Sequence, residues 1–547
     1  MKISKIIVAV LTLVSSEALA CTNLIVGKAA STDGSVIVSY NADSYGMYGF
    51  LRHYKAGKHP KGTLRPVYEW DTNRYLCDIP EAPETYNVMG NMNEHQVCIT
   101  ETTFGGREEL ADSTGKMDYG SMIYIALQRS KTARQAIDVM TGLVKDYGYC
   151  SEGETFTIAD KNEVWVMEMI GKGPNNKGAV WVAVRIPDDC ICAHANQSRI
   201  QQFPLNDKKN CIYSKDVISF ARQKGYFSGK DKDFSFAKAY APADFSALRY
   251  CEARVWSFFR KYDKTFDKYL DYIKGDASKE PMPLYIKISK KLSVKDIEAG
   301  MRDHYEGTPL DLTVDMSAGG WDSPYRPSPL SYKVDDVTLF NERPISTQQT
   351  GFTLVAQMRS SLPDVIGGVL WFGCDDANMV AYVPVYTSAT EVPECFDEKT
   401  ADAVTFSWKS SFWVCNWVAN MVYPRYSQMF GSLEKVRNEL EDAYFANQER
   451  IEKRAMAYYE QSPEEAAKFL TRYTIETAQG MHSRWRELGE WLIVKYNDMV
   501  IHPDKDGKFL RSKYGLGATP VRPGYSDNFK RHIKNYTNGR YEMPAKK

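Results

Sequence analysis

Alternating apolar and polar positions predict a pair of β-strands near the start of the chain. Thr22 to Lys28 is predicted as a strand, Ser31 to Gly34 as a polar turn, and Ser35 to Asn41 as a second strand. Because the turn is short, the second strand runs back beside the first. The sequence therefore predicts a hairpin that returns Asp43 to the neighbourhood of Cys21.

Short apolar runs separated by turns predict further antiparallel strands. They are Thr155 to Ala159, Val164 to Met169, Val180 to Ile186, Cys190 to Ala195, Phe352 to Met358, Val369 to Phe372 and Met379 to Val385. Between Asn87 and Thr100, two alternating runs flank an Asn-rich turn. This pattern predicts another hairpin, with amide side chains at its tip.

Apolar residues at helical spacing predict helices between and after these strands. Thr132 and Gln135 have the spacing of a capping box, and Gly148 ends the apolar stripe that follows. Near the C-terminus, Ser462 followed by Pro463 marks the start of another helix. The mixture predicts an α+β protein whose sheets are covered by helices.

Composition narrows the range of partners. Hydrophobic residues make up 43% and charged residues 25% of the 547 positions, as in ordinary globular proteins. The 69 basic and 69 acidic residues balance, which argues against nucleic acid or a membrane surface as partner. After residue 20, no apolar run is long enough to span a bilayer. Whether the protein is a homo-oligomer stays open.

Residues 1–20 have the three parts of a cleavable export signal. Lys2 and Lys5 supply the positive charge, Ile6 to Val14 the apolar segment, and Ala18-Leu19-Ala20 the small-residue cleavage site. We therefore predict a signal peptide over residues 1–20 and an exported protein, periplasmic or extracellular. Cleavage after Ala20 leaves Cys21 as the first residue.

Cys21 would then carry both a thiol and a free α-amine, whose ordinary pKa is about 7.7–8.0. One residue could supply a nucleophile and its base. Two other interpretations stay open, a lipid-attachment cysteine and a structural cysteine. A lipid-attachment signal normally has Leu three residues before the cysteine and a small residue two before, and Ala18 and Leu19 stand there in reverse order.

The residues after Cys21 resemble a known family. The run Cys-Thr-Asn-x(3)-Gly-Lys-x-Ala-Ser-x-Asp-Gly-Ser, continued by Asn41-Ala42-Asp43-Ser44, is similar to the opening of the PepD-like bacterial dipeptidases. Those are cysteine peptidases of the N-terminal-nucleophile (Ntn) hydrolase superfamily, related to penicillin V acylases and bile salt hydrolases. The resemblance implies a four-layer αββα sandwich and hydrolysis of dipeptides or other short peptides without a cofactor. We predict a catalytic domain over residues 21–430 and a C-terminal helical region over 431–547.

The resemblance also implies which residues act with Cys21. Asp43 would accept a hydrogen bond from the Cys21 amine. Asn93 matches an amide that relatives use as an oxyanion donor, with Asn91 as the neighbouring alternative, and Asn196 matches the second active-site Asn of the family.

Arg254 resembles an arginine near the thiol in the acylase branch, although a surface salt-bridge role is an equal alternative. One position departs from the family pattern. Many relatives carry Arg three residues before the aspartate, whereas this chain has Tyr40. A cation that favours the thiolate is therefore either missing or supplied from elsewhere.

Metal and cofactor chemistry has little support in the sequence. The eight His residues show no paired ligand spacing, and no phosphate-binding loop or serine-hydrolase elbow is found. Two alternative functions stay open. One keeps the mechanism but acts on N-acyl amides such as bile-salt conjugates or penicillin V, and the other is a lipid-anchored protein that binds peptides or glycans.

Overall fold

The computed structural model describes residues 21–544, so the predicted signal peptide lies outside the described residues. In chain order the strands are β1 (Thr22–Val26), β2 (Val36–Asp43), β3 (His53–Tyr54), β4 (Gly57–Lys58), β5 (Leu64–Tyr68), β6 (Tyr75–Pro80), β7 (Glu84–Thr85), β8 (Val88–Met89), β9 (Met92–Asn93), β10 (Cys98–Gly105), β11 (Gly153–Ala159), β12 (Val164–Gly171), β13 (Ala179–Ile186), β14 (Cys190–Ala195), β15 (Cys211–Tyr213), β16 (Tyr285–Lys287), β17 (Ser331–Val334), β18 (Val337–Phe340), β19 (Thr350–Met358), β20 (Gly368–Cys374), β21 (Val383–Tyr386), β22 (Asp504–Lys505) and β23 (Lys508–Phe509).

The α-helices are α1 (Tyr119–Arg129), α2 (Ala133–Tyr147), α3 (Val217–Gln223), α4 (Phe236–Tyr240), α5 (Ala253–Tyr262), α6 (Leu270–Ile273), α7 (Val294–Met301), α8 (Asp364–Gly367), α9 (Ser411–Val422), α10 (Tyr426–Tyr459), α11 (Pro463–Lys495) and α12 (Asp527–Tyr536). Helix and strand are both abundant, so the predicted α+β class is confirmed at that level.

Two antiparallel sheets organise the structure. The first has seven strands in the order β16-β14-β1-β2-β19-β20-β21, and the second has eight in the order β15-β13-β12-β11-β10-β9-β8-β3. The predicted hairpin is confirmed, because β1 and β2 are adjacent and antiparallel. Since β1 also pairs with β14, the strand that follows Cys21 is held on both edges.

Side chains alternate between hydrophobic clusters along each buried strand. In β12, Val164 and Val166 belong to a cluster shared by both sheets, whereas Trp165 and Met167 belong to a cluster with α1 and α2. The opposite face of the seven-stranded sheet packs on helices that include α5 and α7. Each sheet therefore has one face on the shared core and the other on helices.

The helix boundaries follow local signals. The Thr132 hydroxyl accepts a hydrogen bond from the Gln135 backbone N–H, and Gly148 ends α2 with a φ of 77°. The Gln135 side chain accepts from the Lys131 backbone rather than from Thr132, so only half of the predicted capping box forms. Ser462 caps α11 through the Glu465 backbone N–H.

The strand predicted from Met379 begins later, at Val383. Asp376 causes the difference, because its backbone C=O accepts from the Met379 N–H and its side chain accepts from the Asn378 N–H. These bonds hold a turn where the apolar pattern alone indicated a strand.

The C-terminal helices are joined to the rest of the core. Residues of α9, α10 and α11 belong to the cluster that the two sheets share. The predicted boundary after residue 430 falls within α10, and the division into two domains stays a prediction.

Candidate active site

Cys21 lies at the point where the β1–β2 hairpin closes. Thr22 pairs with Asn41, so Cys21 is next to the end of β2 and to Asp43. The Cys21 side chain is 4% exposed and lines a cavity of about 540 Å³. The hairpin therefore brings the predicted nucleophile and the predicted aspartate to one pocket.

The loops and short strands from Phe50 to Thr85 form part of that pocket. Phe50, Arg52, Trp70 and Asp71 line it, opposite residues of the two sheets and of α1. The Arg52 guanidinium lies 4.8 Å from the centre of the Phe50 ring and 4.9 Å from that of Trp70. Arg52 also pairs with Glu398 at 2.8 Å.

The Asp43 carboxylate is fully buried and satisfied on both oxygens. Its Oδ2 accepts from Arg343 at 2.5 Å, and its Oδ1 accepts from the Thr350 hydroxyl at 2.6 Å. Burial raises the pKa of Asp43 above its ordinary value, and the Arg343 charge opposes that rise. Nothing in the sequence near Asp43 indicates Arg343, which lies 300 positions away.

Arg254 links the nucleophile to Asn196. One terminal nitrogen donates to the Cys21 carbonyl oxygen at 2.5 Å and to the Thr22 hydroxyl at 2.7 Å. The other donates to Asn196 Oδ1 at 2.9 Å, and Asn196 Nδ2 donates to the Thr103 carbonyl at 2.8 Å. The Arg254 side chain is buried, so the structure does not support the surface salt-bridge alternative.

Asn93 is not brought to the thiol. Its Nδ2 donates to the carbonyls of Leu127 and Ser130, and its Oδ1 accepts two backbone N–H groups within its own turn. Because both amide hydrogens are used, the side chain has none left for an oxyanion. The pocket is lined by Asn91, the neighbouring alternative, whose Nδ2 donates to the Ile99 carbonyl.

Tyr40 stands where the family pattern has arginine, and it brings a carboxylate rather than a cation. Its hydroxyl lies 3.6 Å from Cys21 Sγ and donates a short hydrogen bond to Glu101 Oε1. That same Glu101 oxygen is 3.6 Å from the sulfur. The sequence analysis did not single out Glu101, although an acidic residue within an otherwise apolar and Thr-rich strand was a usable signal.

The surroundings of the thiol disfavour its ionisation. Burial, followed by the charges of Glu101 and Asp43, raises the pKa of Cys21 well above its ordinary value. The thiol is therefore protonated at neutral pH in these surroundings. A reaction at sulfur needs a base that removes this proton as the sulfur attacks.

Two further properties concern the described residues alone. Residues 21–544 contain no group of three or more His, Cys, Asp or Glu side chains arranged to hold a metal ion. Among the same residues, no helix combines the length and hydrophobicity needed to cross a membrane.

Comparison with known proteins identifies relatives over most of the chain. The family model described as Peptidase family C69 matches residues 20–439. A "Probable dipeptidase" of Latilactobacillus sakei is 27% identical over 428 residues, which cover 75% of this chain and 82% of the relative. A "Probable dipeptidase" of Salmonella dublin is 27% identical over 393 residues, covering 68% and 81%. A "Probable dipeptidase B" of Streptococcus pyogenes serotype M1 is 25% identical over 517 residues, covering 90% and 97%.

Proposed function

The chain belongs to peptidase family C69 and is a cysteine-type peptidase, and we propose that it is an exported dipeptidase whose nucleophile is the thiol of Cys21. The names of its relatives support the substrate class. The observation that carries the mechanism is the convergence of Asp43, Arg254 and Asn196 on a cysteine that lines a pocket.

The base in this proposal is the α-amine of Cys21 itself. In the uncut chain the Cys21 nitrogen is part of an amide and cannot take up a proton. Cleavage after Ala20 converts it into an amine with a pKa near neutrality. The amine then takes the thiol proton as the sulfur attacks the scissile carbonyl carbon.

The attack forms a tetrahedral intermediate with a negatively charged oxygen. Asn196 is the proposed donor to that oxygen, because only one of its amide hydrogens is used by the Thr103 carbonyl. Arg254 acts as a positioning residue that holds Asn196 beside Cys21. The C–N bond then breaks, the Cys21 ammonium gives its proton to the leaving amine, and a thioester remains.

Water completes the cycle. The Cys21 amine removes a proton from a water molecule, whose oxygen attacks the thioester carbonyl. The C–S bond breaks and the sulfur regains a proton, releasing the first amino acid. The buried Asp43–Arg343 pair fixes the end of β2 beside the cysteine throughout.

We assign the fold to the Ntn-hydrolase sandwich. Two large antiparallel sheets with a shared core and helices on their outer faces support this assignment. The assignment agrees with a nucleophile at the start of a strand in the first sheet. The export signal predicted from the sequence of residues 1–20 supports a location outside the cytoplasm.

The test begins with the exported protein. Intact-mass and N-terminal analysis, with and without iodoacetamide, is expected to show a chain that starts at Cys21 with a free amine and a thiol that can be alkylated. A lipidated Cys21, or a chain that starts elsewhere, would contradict the mechanism.

The second part of the test compares substrates. The mature protein is expected to hydrolyse simple dipeptides in preference to a panel of acyl amides that includes penicillin V and bile-salt conjugates. Cys21→Ala should abolish this activity, while the matched variant Cys77→Ala, whose thiol is on β6 outside the pocket, should keep it. Preference for the acyl amides would identify the alternative function.

A further inference from the structure

Glu101 is a buried carboxylate that has no Lys, Arg or His side chain paired with it among residues 21–544. Its side chain is 3% exposed. Oε1 accepts from the Tyr40 hydroxyl and from the Cys21 thiol, and within residues 21–544 the one group in reach that could donate to the second oxygen is the protonated Glu154 carboxyl. Burial raises the pKa of Glu101 above its ordinary value. A buried carboxylate without a positive partner either holds a proton or binds a ligand that supplies the charge.

The strand that carries Glu101 is open towards the pocket. The neighbouring strand β9 pairs with β10 at Cys98, and beyond that residue this edge of β10 has no strand partner within residues 21–544. The Glu101 side chain leaves the face of β10 towards Cys21 and Tyr40 and lines the pocket. Asn23 fixes its position, because Asn23 Nδ2 donates to the Glu101 carbonyl at 2.9 Å.

Negative charge predominates among the pocket-lining side chains. Asp43, Asp71, Glu101 and Arg52 are the charged residues of the described pocket lining. Asp43 is already paired with Arg343, and Arg52 with Glu398. Glu101 and Asp71 therefore leave this part of the pocket acidic, which suits a cationic group on a substrate.

Glu154 is a second buried carboxyl beside Glu101. It lies on β11, which pairs with β10, and its carboxyl is within hydrogen-bonding reach of Glu101. Burial, followed by the charge of Glu101, raises the pKa of Glu154 well above its ordinary value. Two adjacent carboxyls can share a proton, and a positive ligand favours the ionised form of the one that it contacts.

We propose that Glu101 binds the α-ammonium group of the substrate and thereby restricts cleavage to the bond after the first residue. The proposal rests on the proposed function, since it assumes that Cys21 attacks a peptide carbonyl.

The restriction follows from distance. Glu101 Oε1 is 3.6 Å from Cys21 Sγ. Within an amino acid the nitrogen is about 2.5 Å from the carbonyl carbon, as standard bond lengths and angles require. A carbonyl carbon about 3–3.5 Å from the sulfur can therefore belong to a residue whose ammonium is about 2.8 Å from Glu101.

A longer amino-terminal segment does not fit the same distances. Each added residue moves the ammonium by a Cα step of about 3.8 Å along the chain. The ammonium would then lie beyond hydrogen-bonding distance of a carboxylate that is next to the sulfur. Acetylation removes the charge and two of the three donors, so an N-acetyl dipeptide loses the same interaction.

The test measures binding to the mature Cys21→Ala protein, which cannot form the thioester. Calorimetry is expected to show that Ala-Ala binds at least 10-fold more tightly than N-acetyl-Ala-Ala. In the Cys21→Ala/Glu101→Gln protein, this preference should fall by about 10-fold or more, towards equal binding of the two ligands, because a hydrogen bond to a charged group is lost.

A burial-matched control separates recognition from folding. Glu298, on α7, is also fully buried and, in the part of the chain that the structure describes, neither of its carboxylate oxygens has a hydrogen-bond donor; it lies outside the pocket lining. Glu298→Gln in the Cys21→Ala background should leave the preference unchanged. If Glu101→Gln does not fold, Glu101→Asp takes its place in the comparison. A dipeptide analogue with hydrogen in place of the α-amine, compared with Ala-Ala on the Cys21→Ala protein, measures the same preference without a change at Glu101.

The outcomes separate this proposal from the proposed function. Failure of the mature wild-type enzyme to hydrolyse dipeptides would overturn the proposed function and is observed without any change at Glu101. An equal preference in the Cys21→Ala and Cys21→Ala/Glu101→Gln proteins, or no preference in either, would overturn the role of Glu101. In a mature protein that keeps Cys21, Glu101→Gln could lower the turnover of Ala-Ala and of N-acetyl-Ala-Ala by the same factor. That result would instead assign Glu101 to the amine of Cys21.

Discussion

The two sides of the pocket treat buried charge in opposite ways. On one side, here called the arginine wall, Asp43 is paired with Arg343, and Arg254 is bonded to the backbone of Cys21. On the other side, here called the acid wall, Glu101 and Glu154 lie together without a cation among the described residues. The paired charges of the arginine wall hold Cys21 and Asp43 in place, whereas Glu101 of the acid wall is the group that we propose to bind the substrate ammonium.

The strongest test breaks the arginine wall. Arg343→Met leaves the Asp43 carboxylate buried without its cation, so the free energy of unfolding should fall by about 3–5 kcal/mol. Urea denaturation at pH 7 measures the loss. The double variant Arg343→Met/Asp43→Asn should recover most of it, because neither charge remains.

Glu101→Gln provides the comparison on the acid wall. It removes a charge that has no partner, so the free energy of unfolding should stay the same or rise. Losses of similar size for Arg343→Met and Glu101→Gln would mean that the two walls do not differ.

The next largest effect concerns the oxyanion. Asn196→Ala should lower kcat by about 100- to 1000-fold with a smaller change in KM, because the lost donor acts mainly in the transition state. Steady-state kinetics on a dipeptide measures this change.

Asn93→Ala is the matched amide variant. Its main effect should be a lower free energy of unfolding, by about 1–3 kcal/mol for each of the Leu127 and Ser130 carbonyls that loses its donor. A large fall in kcat with unchanged stability would restore Asn93 as the oxyanion donor.

A smaller effect is expected where the two walls meet. Tyr40→Phe removes the hydroxyl that donates to Glu101 and contacts the thiol, so kcat/KM on dipeptides should fall by about 10-fold. The control is Tyr240→Phe, which removes a buried hydroxyl bonded to the Val217 carbonyl outside the pocket. Equal activity of the two variants would exclude a role for the Tyr40 hydroxyl.

A separate effect is a change in the pH dependence of stability. The pKa of Glu154 is raised in the folded state, so the folded protein holds this proton more strongly than the unfolded chain. This contribution to stability is complete below the unfolded pKa of about 4.3 and is lost as pH rises through the folded pKa.

Glu154→Gln cannot titrate, so its stability relative to wild type should increase from pH 4 to pH 8. Thermal melting across this range measures the difference, at about 1.4 kcal/mol for each unit of pKa shift. A constant difference would show that Glu154 does not hold the proton.

Sequence patterns predicted the strands and helices that form between residues close together in the chain. The hairpin from Thr22 to Asp43 follows from alternation and one turn, and it alone brings Asp43 beside Cys21. Arg343 and Glu101 could not be found in this way, because they reach the site across 300 and 80 positions. Periodicity identifies which residues share a face but not which distant strands or loops become neighbours.

Asn93 illustrates a second limit. The Asn-rich turn was recognised, and β8 and β9 form there. Asn91 and Asn93 both lie in that turn, and an amide side chain there can hydrogen-bond either within the turn or towards the pocket. The carbonyls at the end of α1, at Leu127 and Ser130, decide the direction of Asn93, and they are not part of the local sequence.

The Asn23 contact has a mechanical consequence. Asn23 Nδ2 donates to the Glu101 carbonyl and Asn23 Oδ1 accepts from the Thr100 hydroxyl. These two hydrogen bonds oppose sliding of β1 against β10. The distance between sulfur and carboxylate is thus set within the rigid core. Trp70 and Asp71 line the same pocket from the turn between β5 and β6. The sulfur-to-carboxylate distance is therefore fixed by two strands, whereas the opposite side of the pocket belongs to a turn, the kind of segment in which sequence varies most.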